Sequence, residues 1–220
     1  MRKTILKIAA PVLRRFTKYY FSKPRPYKYK GIKGVILPGV FYPFFTISTR
    51  LLLDFLEPQS LKNKHFLELG CGTGFISVLA AKKGAKTTAT DINPSAIENV
   101  EQNAKRNGVE VLTVLSDLFN KIPKQIFDYI IINPPYYQKV AQTVEEKAWF
   151  CGANFEYFKE LFSSIKDYFN EQSMVYMILS EDCKIESIQN IAKEHDIQFD
   201  LIKTQKKYGE LNFIFQLLKQ

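Results

Sequence analysis

Phe66-Leu67-Glu68-Leu69-Gly70-Cys71-Gly72-Thr73-Gly74 is the stretch that decides the fold. His65 to Leu69 is a short apolar run that reads as a strand, and Phe75 to Lys83 reads as a helix. Between them stand three glycines at alternate positions. Only glycine lets the backbone turn this tightly and still come within contact of a ligand. The spacing is G-x-G-x-G, whereas a nicotinamide dinucleotide loop places its third glycine one residue later. Glu68 precedes the first glycine by two residues. A carboxylate there would repel a pyrophosphate, but it suits a ligand bearing an ammonium group. The next strand, Lys86 to Thr90, ends in Asp91, 21 residues past Gly70. That is where a doubly wound fold places the acid that binds a ribose. The ligand these residues imply is an adenosine carrying a cationic amino acid.

The alternation continues downstream. Pro94 to Arg106 reads as a helix, with Pro94 near its first position and Gly108 at its stop. Val109 to Leu115 is a third strand. Phe127 to Ile132 is a fourth, apolar throughout, as befits a strand covered on both faces. Phe155 to Phe169 is a helix, Met174 to Leu179 a fifth strand, and Ile185 to His195 another helix. Ile197 to Thr204 and Leu211 to Leu218 close the chain as an antiparallel hairpin. Alternating strands and helices predict a doubly wound, mostly parallel sheet. Upstream, residues 48–57 read as a helix ending before Pro58. Residues 23–43 are rich in Pro, Lys, Tyr and Gly and read as an ordered linker or loop. Residues 3–20 read as a basic amphipathic helix, with Ile5, Ile8, Val12, Phe16 and Tyr19 on one face and a kink or break at Pro11. The expected division is a basic N-terminal helix and lead-in over 1–45, then the α/β domain over 46–220.

Charge follows the same division. The net charge of +9 arises before Asp54, the first acid; the rest of the chain carries slightly more acids than bases. Such asymmetry suits a polyanionic partner such as RNA, a ribosome-bound protein or a membrane surface, and equally a solvated basic helix. Three cysteines at wide spacing and two histidines argue against a disulfide framework, a zinc site or other metal catalysis. No apolar run approaches the ~18 residues needed to span a bilayer. The N-terminus lacks the order of a signal peptide. A cytoplasmic location is the expectation.

A second sharp motif follows the fourth strand. Asn133-Pro134-Pro135-Tyr136 cannot continue a strand or a helix, and its prolines stiffen the turn. Ligands in open α/β sheets bind at these strand ends. An amide or aromatic amine nitrogen is a poor nucleophile because its lone pair is delocalised. The Asn133 side-chain oxygen and the Pro134 backbone oxygen can accept its two N–H bonds, aim the lone pair and stabilise the positive charge that develops. Tyr136 would offer a face or edge to a planar substrate.

Glu68 to Gly74 resembles the first motif of S-adenosylmethionine-dependent methyltransferases. The resemblance implies a Rossmann-like seven-stranded sheet, mostly parallel with a C-terminal antiparallel hairpin, extended by the short basic N-terminal helix. It implies S-adenosyl-L-methionine as cofactor. Gly70 and Gly72 would then run along its methionine portion, with Gly74 completing the loop. Asp91 would bind the ribose hydroxyls, Ile92 would pack on the adenine, and Asp117 would accept from the adenine amino group. Asp117 could equally cap the turn that it opens. Asn133 to Tyr136 is similar to the fourth motif of amino-group methyltransferases, which act on adenine in nucleic acid or on glutamine in release factors and ribosomal protein.

Residues 148–158 are similar to a stretch of release-factor glutamine methyltransferases in which a Gly-Gly pair precedes a helix. Here Cys151 and Phe155 stand where that family has glycines. Residues 40–53 are similar to the stretch leading into the same broad small-domain methyltransferases. They are similar also to that of ribosomal RNA guanine enzymes, which carry Phe in place of Tyr136. Tyr19, Tyr20, Phe21, Tyr27 and Tyr29, set among Lys and Arg, suit stacking on bases or packing of the helix onto the sheet. The expectation is methyl transfer to a planar conjugated nitrogen, foremost a glutamine amide of a translation protein. The alternatives are an adenine or other base amino group in RNA or DNA, and a catalytically silent nucleic-acid-binding module.

Overall fold

A computed structural model describes residues 22–40, 47–207 and 209–220. The helix expected over residues 3–20, with Tyr19, Tyr20 and Phe21, lies outside the described residues, as does part of the lead-in, 41–46. Strands β1 (Arg25–Tyr29) and β2 (Ile32–Ile36) form a separate hairpin. The main sheet holds β3 (His65–Leu69), β4 (Lys86–Asp91), β5 (Leu112–Leu115), β6 (Tyr129–Ile132), β7 (Met174–Ser180), β8 (Ile197–Lys207) and β9 (Glu210–Lys219). Its order is β5-β4-β3-β6-β7-β9-β8. The first five of these pair in parallel, and β9 runs antiparallel to both β7 and β8. The helices are α1 (Ser48–Leu56), α2 (Phe75–Lys82), α3 (Pro94–Asn107), α4 (Glu156–Ile165) and α5 (Ile185–Lys193). The Rossmann-like sheet with its terminal antiparallel hairpin is the one that the sequence predicts. Among the described residues no helix is long and apolar enough to cross a membrane.

Strand β6 shows why the core is double. Ile130 and Ile132 face a layer containing Phe158 and Phe162 of α4 and Ile188 of α5. Tyr129 and Ile131 face the other layer, with Leu52 and Leu53 of α1 and Phe75 and Ile76 of α2. Alternate residues of one strand are therefore buried on opposite sides, which requires an unbroken apolar run. Helix α3 is bounded as its sequence demands. The Asn93 side chain accepts from Ser95 N at 3.0 Å, Pro94 opens the helix, and Gly108 closes it at φ 64°.

The linker expected over residues 23–43 is corrected: residues 25–36 are an antiparallel hairpin turning at Lys30 and Gly31, both at positive φ. Two strands alone are marginal in water. Here the far edge of β2 is paired by side chains. Asn99, Asn103 and Asn107 stand one turn apart on α3. Asn99 Nδ2 and Asn103 Nδ2 donate to Val35 O at 2.7 and 2.9 Å, and Asn103 Oδ1 accepts from Val35 N at 2.8 Å. Asn99 Oδ1 accepts from Leu37 N at 2.9 Å, and Asn107 Nδ2 donates to Lys33 O at 2.8 Å. The helix thus stands in for a third strand. Gly34 permits the approach, since a Cβ there would come within 2.6 Å of the Phe75 ring and 2.8 Å of Asn103 Oδ1.

The hairpin also settles two aromatics. Tyr27 lies edge-on to Phe75 at 5.0 Å, and Tyr29 donates to Asp54 Oδ1 at 2.8 Å. Burial and that hydrogen bond push the Tyr29 hydroxyl up to about 12. Both rings pack the hairpin against the domain, while the N-terminal helix whose packing was the expectation lies outside the described residues.

Replacing Asn103 by Leu strands the Val35 N–H and the Thr73 carbonyl, which also accepts from Asn103 Nδ2 at 2.9 Å. The expected loss is about 2–3 kcal/mol in chemical denaturation. Asn107→Ala, at the more exposed end, should cost less than ~1 kcal/mol. Equal losses for the two would remove the ladder's buried centre from this account.

Candidate functional site

Strand register assembles the site. Leu69 pairs with both Thr90 and Ile132, and Asp91 pairs with Leu115. The chain therefore leaves the sheet side by side at Gly70, Asp91, Ser116 and Asn133. The sheet order reverses direction between β3 and β6, so these loops line the crevice where open α/β sheets hold ligands. The cleft there encloses, with its open mouth, about 1230 Å³. It is lined by Glu68, Gly70, Gly72, Asp91, Ile92, Asp117, Asn133, Pro134 and Tyr136. All the expected site residues meet there except Gly74. A Cβ on Gly74 would come within 2.5 Å of Val100 Cγ2, so this glycine serves the packing of the loop on α3. Gly70 and Gly72 have positive φ, and a Cβ on either would meet nothing within 4 Å. Their bare backbone forms the floor of the cleft.

The loop is held from several sides. Gly70 N and Cys71 N both donate to Thr90 O at 2.9 Å. Gly72 N donates to Asp91 Oδ2 and Asn93 N to Asp91 Oδ1, each at 2.9 Å. Asn103 fixes the Thr73 carbonyl from behind. Ser77, in the first turn of α2, donates its N–H to Glu68 Oε2 at 2.8 Å and its hydroxyl to the same oxygen.

Burial dominates the electrostatics. It pushes the Glu68 carboxyl up to about 8, against the lowering effect of Ser77. It raises Asp91 as well, although backbone N–H groups from Asn93, Gly72 and Ile92 oppose it. Burial and the same carboxylates hold the Cys71 thiol well above its ordinary range, so it is no nucleophile. Lys147 is the single cation among the described lining residues, and its Nζ lies 3.3 Å from Asp117 Oδ2. The buried Glu68 and the half-buried Asp91 bring two carboxylates to an open cleft, a chemistry that suits a cationic amino acid and a ribose. The floor and the acids fit an adenosine of that kind and oppose a pyrophosphate.

The tetrad is stapled to the stretch resembling the glutamine methyltransferases. Tyr137 N donates to Trp149 O, and Cys151 N donates to Tyr137 O, both at 3.0 Å. Phe155 opens α4 at φ 60°, ψ 35°, in the left-handed space that glycine adopts most readily. Gly152, at φ 89°, sits in left-handed space that strains any side chain. Burial raises the Tyr136 hydroxyl far from titration, and the neighbouring Tyr137 adds to it.

Lys147, not singled out from sequence, also lines the cleft, as do Ser48, Thr49, Trp149 and Tyr157 from the two stretches that carry the further resemblance. Burial and the charges of Asp91 and Asp117 keep the Tyr157 hydroxyl protonated. Its place on α4 follows from tertiary packing and leaves no local signal. Ser77 did leave one, a hydroxyl in the first turn after the glycine loop.

Fold and site define a methyltransferase of the Rossmann-like, S-adenosylmethionine-dependent class. The chain belongs to the methyltransferase small domain family, which matches residues 33–204. It is 44% identical over 108 residues to a Methanocaldococcus jannaschii protein named "Putative protein N5-glutamine methyltransferase", spanning 49% of this chain and 52% of that one. It is 34% identical over 87 residues to the ribosomal protein L11 methyltransferase of Thermotoga maritima, spanning 39% of this chain and 33% of that one. The matches thus span about half the length, or less, of these relatives. Among solved structures, the E. cuniculi Mtq2–Trm112 complex, described as responsible for methylation of the eRF1 translation termination factor, superposes with a TM-score of 0.63. Identity there is 22%, over 83% of this chain and 99% of that one.

An acid whose folded pKa lies above its unfolded one stabilises the fold while protonated. Glu68's contribution is complete below about pH 4.5 and is lost as pH rises through about 8. Glu68→Gln keeps an acceptor for Ser77 and carries no charge. Its melting temperature should exceed the wild type's above pH 8, with the gap closing towards pH 4.5. A gap independent of pH would refute the buried, proton-raised carboxyl.

Proposed function

We propose that this chain transfers a methyl group from S-adenosylmethionine to the side-chain amide nitrogen of a glutamine in a translation protein. One observation carries the reading. The register pair Leu69–Ile132 sets the glycine loop and the Asn133–Pro134 turn directly side by side, in a cleft with acidic and apolar walls. A glutamine amide is neutral and planar and offers two N–H donors, which two fixed acceptors complement.

The bound cofactor supplies an electrophilic methyl group on a positively charged sulfur. The chain's own residues do the rest. Glu68 would face the ammonium end, Asp91 would take the ribose hydroxyls, Ile92 would cover an adenine face and Asp117 would accept from the adenine amino group. Gly70 and Gly72 keep the floor open along the amino-acid portion. The Asn133 side-chain oxygen and the Pro134 carbonyl accept from the amide N–H groups and turn the lone pair out of conjugation. They favour the developing positive charge more than the neutral ground state, which is the condition for catalysis. The tetrad's prolines fix these acceptors in advance, so little reorganisation is required. Tyr136 packs against the substrate plane. Its raised hydroxyl cannot serve as a base at neutral pH. The amide proton, acidified once nitrogen carries the charge, leaves to water.

Asn133→Ala should lower methyl transfer by about a hundredfold or more. Cofactor binding by titration calorimetry should stay within about threefold. The assay follows tritiated methyl from S-adenosylmethionine into a release factor, ribosomal protein L11 and ribosomal RNA, with the product identified by mass spectrometry. Methylglutamine is the expected product. Full activity in Asn133→Ala sinks the mechanism, and a methylated base in place of glutamine sinks the substrate.

A further inference from the structure

The loop that joins the tetrad to α4 carries a cluster of exposed large apolar side chains. Tyr137, Val140, Val144 and Trp149 are each between 37% and 55% exposed. Three of the four also line the cleft. They sit on a fixed platform. The Tyr137–Phe150 bridge ties the two ends of the loop together, and Lys139 lies over the Phe150 ring at 4.7 Å. Glu146 Oε2 accepts from Gln142 N at 2.7 Å, and Thr143 Oγ accepts from Glu146 N at 3.3 Å. The Lys147–Asp117 pair anchors the loop across the cleft. Apolar side chains held out to solvent on an ordered loop, at the entrance to a reactive cleft, mark a surface that another molecule covers.

The charges nearby select the kind of molecule. The loop's two lysines are engaged, one with a ring and one with a carboxylate. The charges of Asp182 and Glu210 reach Tyr137 and, after burial, help to hold its hydroxyl protonated. A phosphate backbone would meet carboxylates and engaged cations here, against what nucleic-acid binding requires. A polypeptide meets no such opposition and gains from covering the rim.

Resting on the glutamine reading above, we propose that Tyr137, Val140, Val144 and Trp149 form the docking rim for the polypeptide on either side of the target glutamine. The rim selects apolar residues next to that glutamine. Recognition is then divided. Asn133 and Pro134 read the amide, and the rim reads its neighbours.

Trp149 is the single tryptophan of the chain, so its fluorescence reports docking without any chemistry. The probes are short synthetic peptides with a central glutamine, flanked in one case by Val and Leu and in the other by Ser and Gly. A single-stranded RNA oligonucleotide is the third probe. Each is titrated onto the full chain saturated with S-adenosylhomocysteine. The apolar-flanked peptide should give a saturable shift of Trp149 emission to shorter wavelength. Its Kd should lie roughly fivefold below that of the polar-flanked peptide, the worth of a methyl group or two removed from water. Val140→Ser should remove that difference while leaving S-adenosylhomocysteine affinity within about twofold. Equal affinity for the two peptides overturns the rim and leaves the glutamine reading standing. So does a Val140→Ser variant that keeps the preference. A shift produced by the oligonucleotide and by neither peptide overturns both, as does the absence of a saturable shift with any probe.

Discussion

The turn from Gly70 to Gly74 has to reverse the chain between a buried strand and a buried helix while leaving its own backbone bare towards a cleft. A loop covered by side chains could be held by packing. This one cannot, because any side chain on Gly70 or Gly72 would occupy the floor that a ligand needs. It is held instead from beneath and behind by hydrogen bonds. Thr90 O takes two N–H groups, Asp91 takes a third, and Asn103 takes the carbonyl of Thr73. The residues that fix the loop are therefore those that line the site or stand one layer behind it. The dependence runs further back. Asn103 also pairs with β2, so the helix that braces the cofactor loop is the same one that completes the N-terminal hairpin. A side-chain ladder in place of a third strand makes hairpin and loop parts of one hydrogen-bonded unit.

The cost of that arrangement falls on the acids. Glu68 and Asp91 lie where burial disfavours their charged forms, and the protein gives them N–H and hydroxyl donors in partial compensation. Buried carboxyls left only partly compensated destabilise the empty fold near neutral pH. A cation or a pair of hydroxyls delivered by a ligand would supply the missing partner. The same logic explains why Cys71, wedged between them, has no chemistry: their charges and its burial both disfavour a thiolate.

Most of the sheet was legible because the signals were local. A parallel strand buried on both faces must be continuously apolar, as Tyr129 to Ile132 is, and a helix must begin and end on caps such as Asn93 and Gly108. The site was legible for a related reason, since both loops lie in direct succession to such strands. The hairpin at residues 25–36 was not read. Its stability is not local: its second edge is satisfied by asparagines more than sixty residues away, and Asn99, Asn103 and Asn107 look like ordinary helix polarity in sequence. Spacing cannot tell a glycine that bares its backbone, as Gly70 and Gly72 do, from one such as Gly74 that lets a helix approach. That distinction depends on Val100, which only the fold brings within reach. That Tyr157 and Trp149 line the cleft depends on the fold in the same way.

Asn133 and Trp149 are sixteen residues apart, yet a main-chain hydrogen bond ties Trp149 to Tyr137, the residue that follows the tetrad. Tyr137 directly follows the tetrad, and it both donates to Trp149 and accepts from Cys151. Any displacement of the loop between them would therefore be felt at the amide-orienting turn. On the proposed reading, an acceptor pair that aims a delocalised lone pair gains from such bracing, because the rate falls steeply with misalignment. The stretch 149–155 thus belongs to the framework that holds the turn after β6. Phe155 and Gly152, both at positive φ, lead into α4, which carries Tyr157 to the cleft within reach of the charges of Asp91 and Asp117. One short segment thus joins the turn after β6 to the far wall of the cleft.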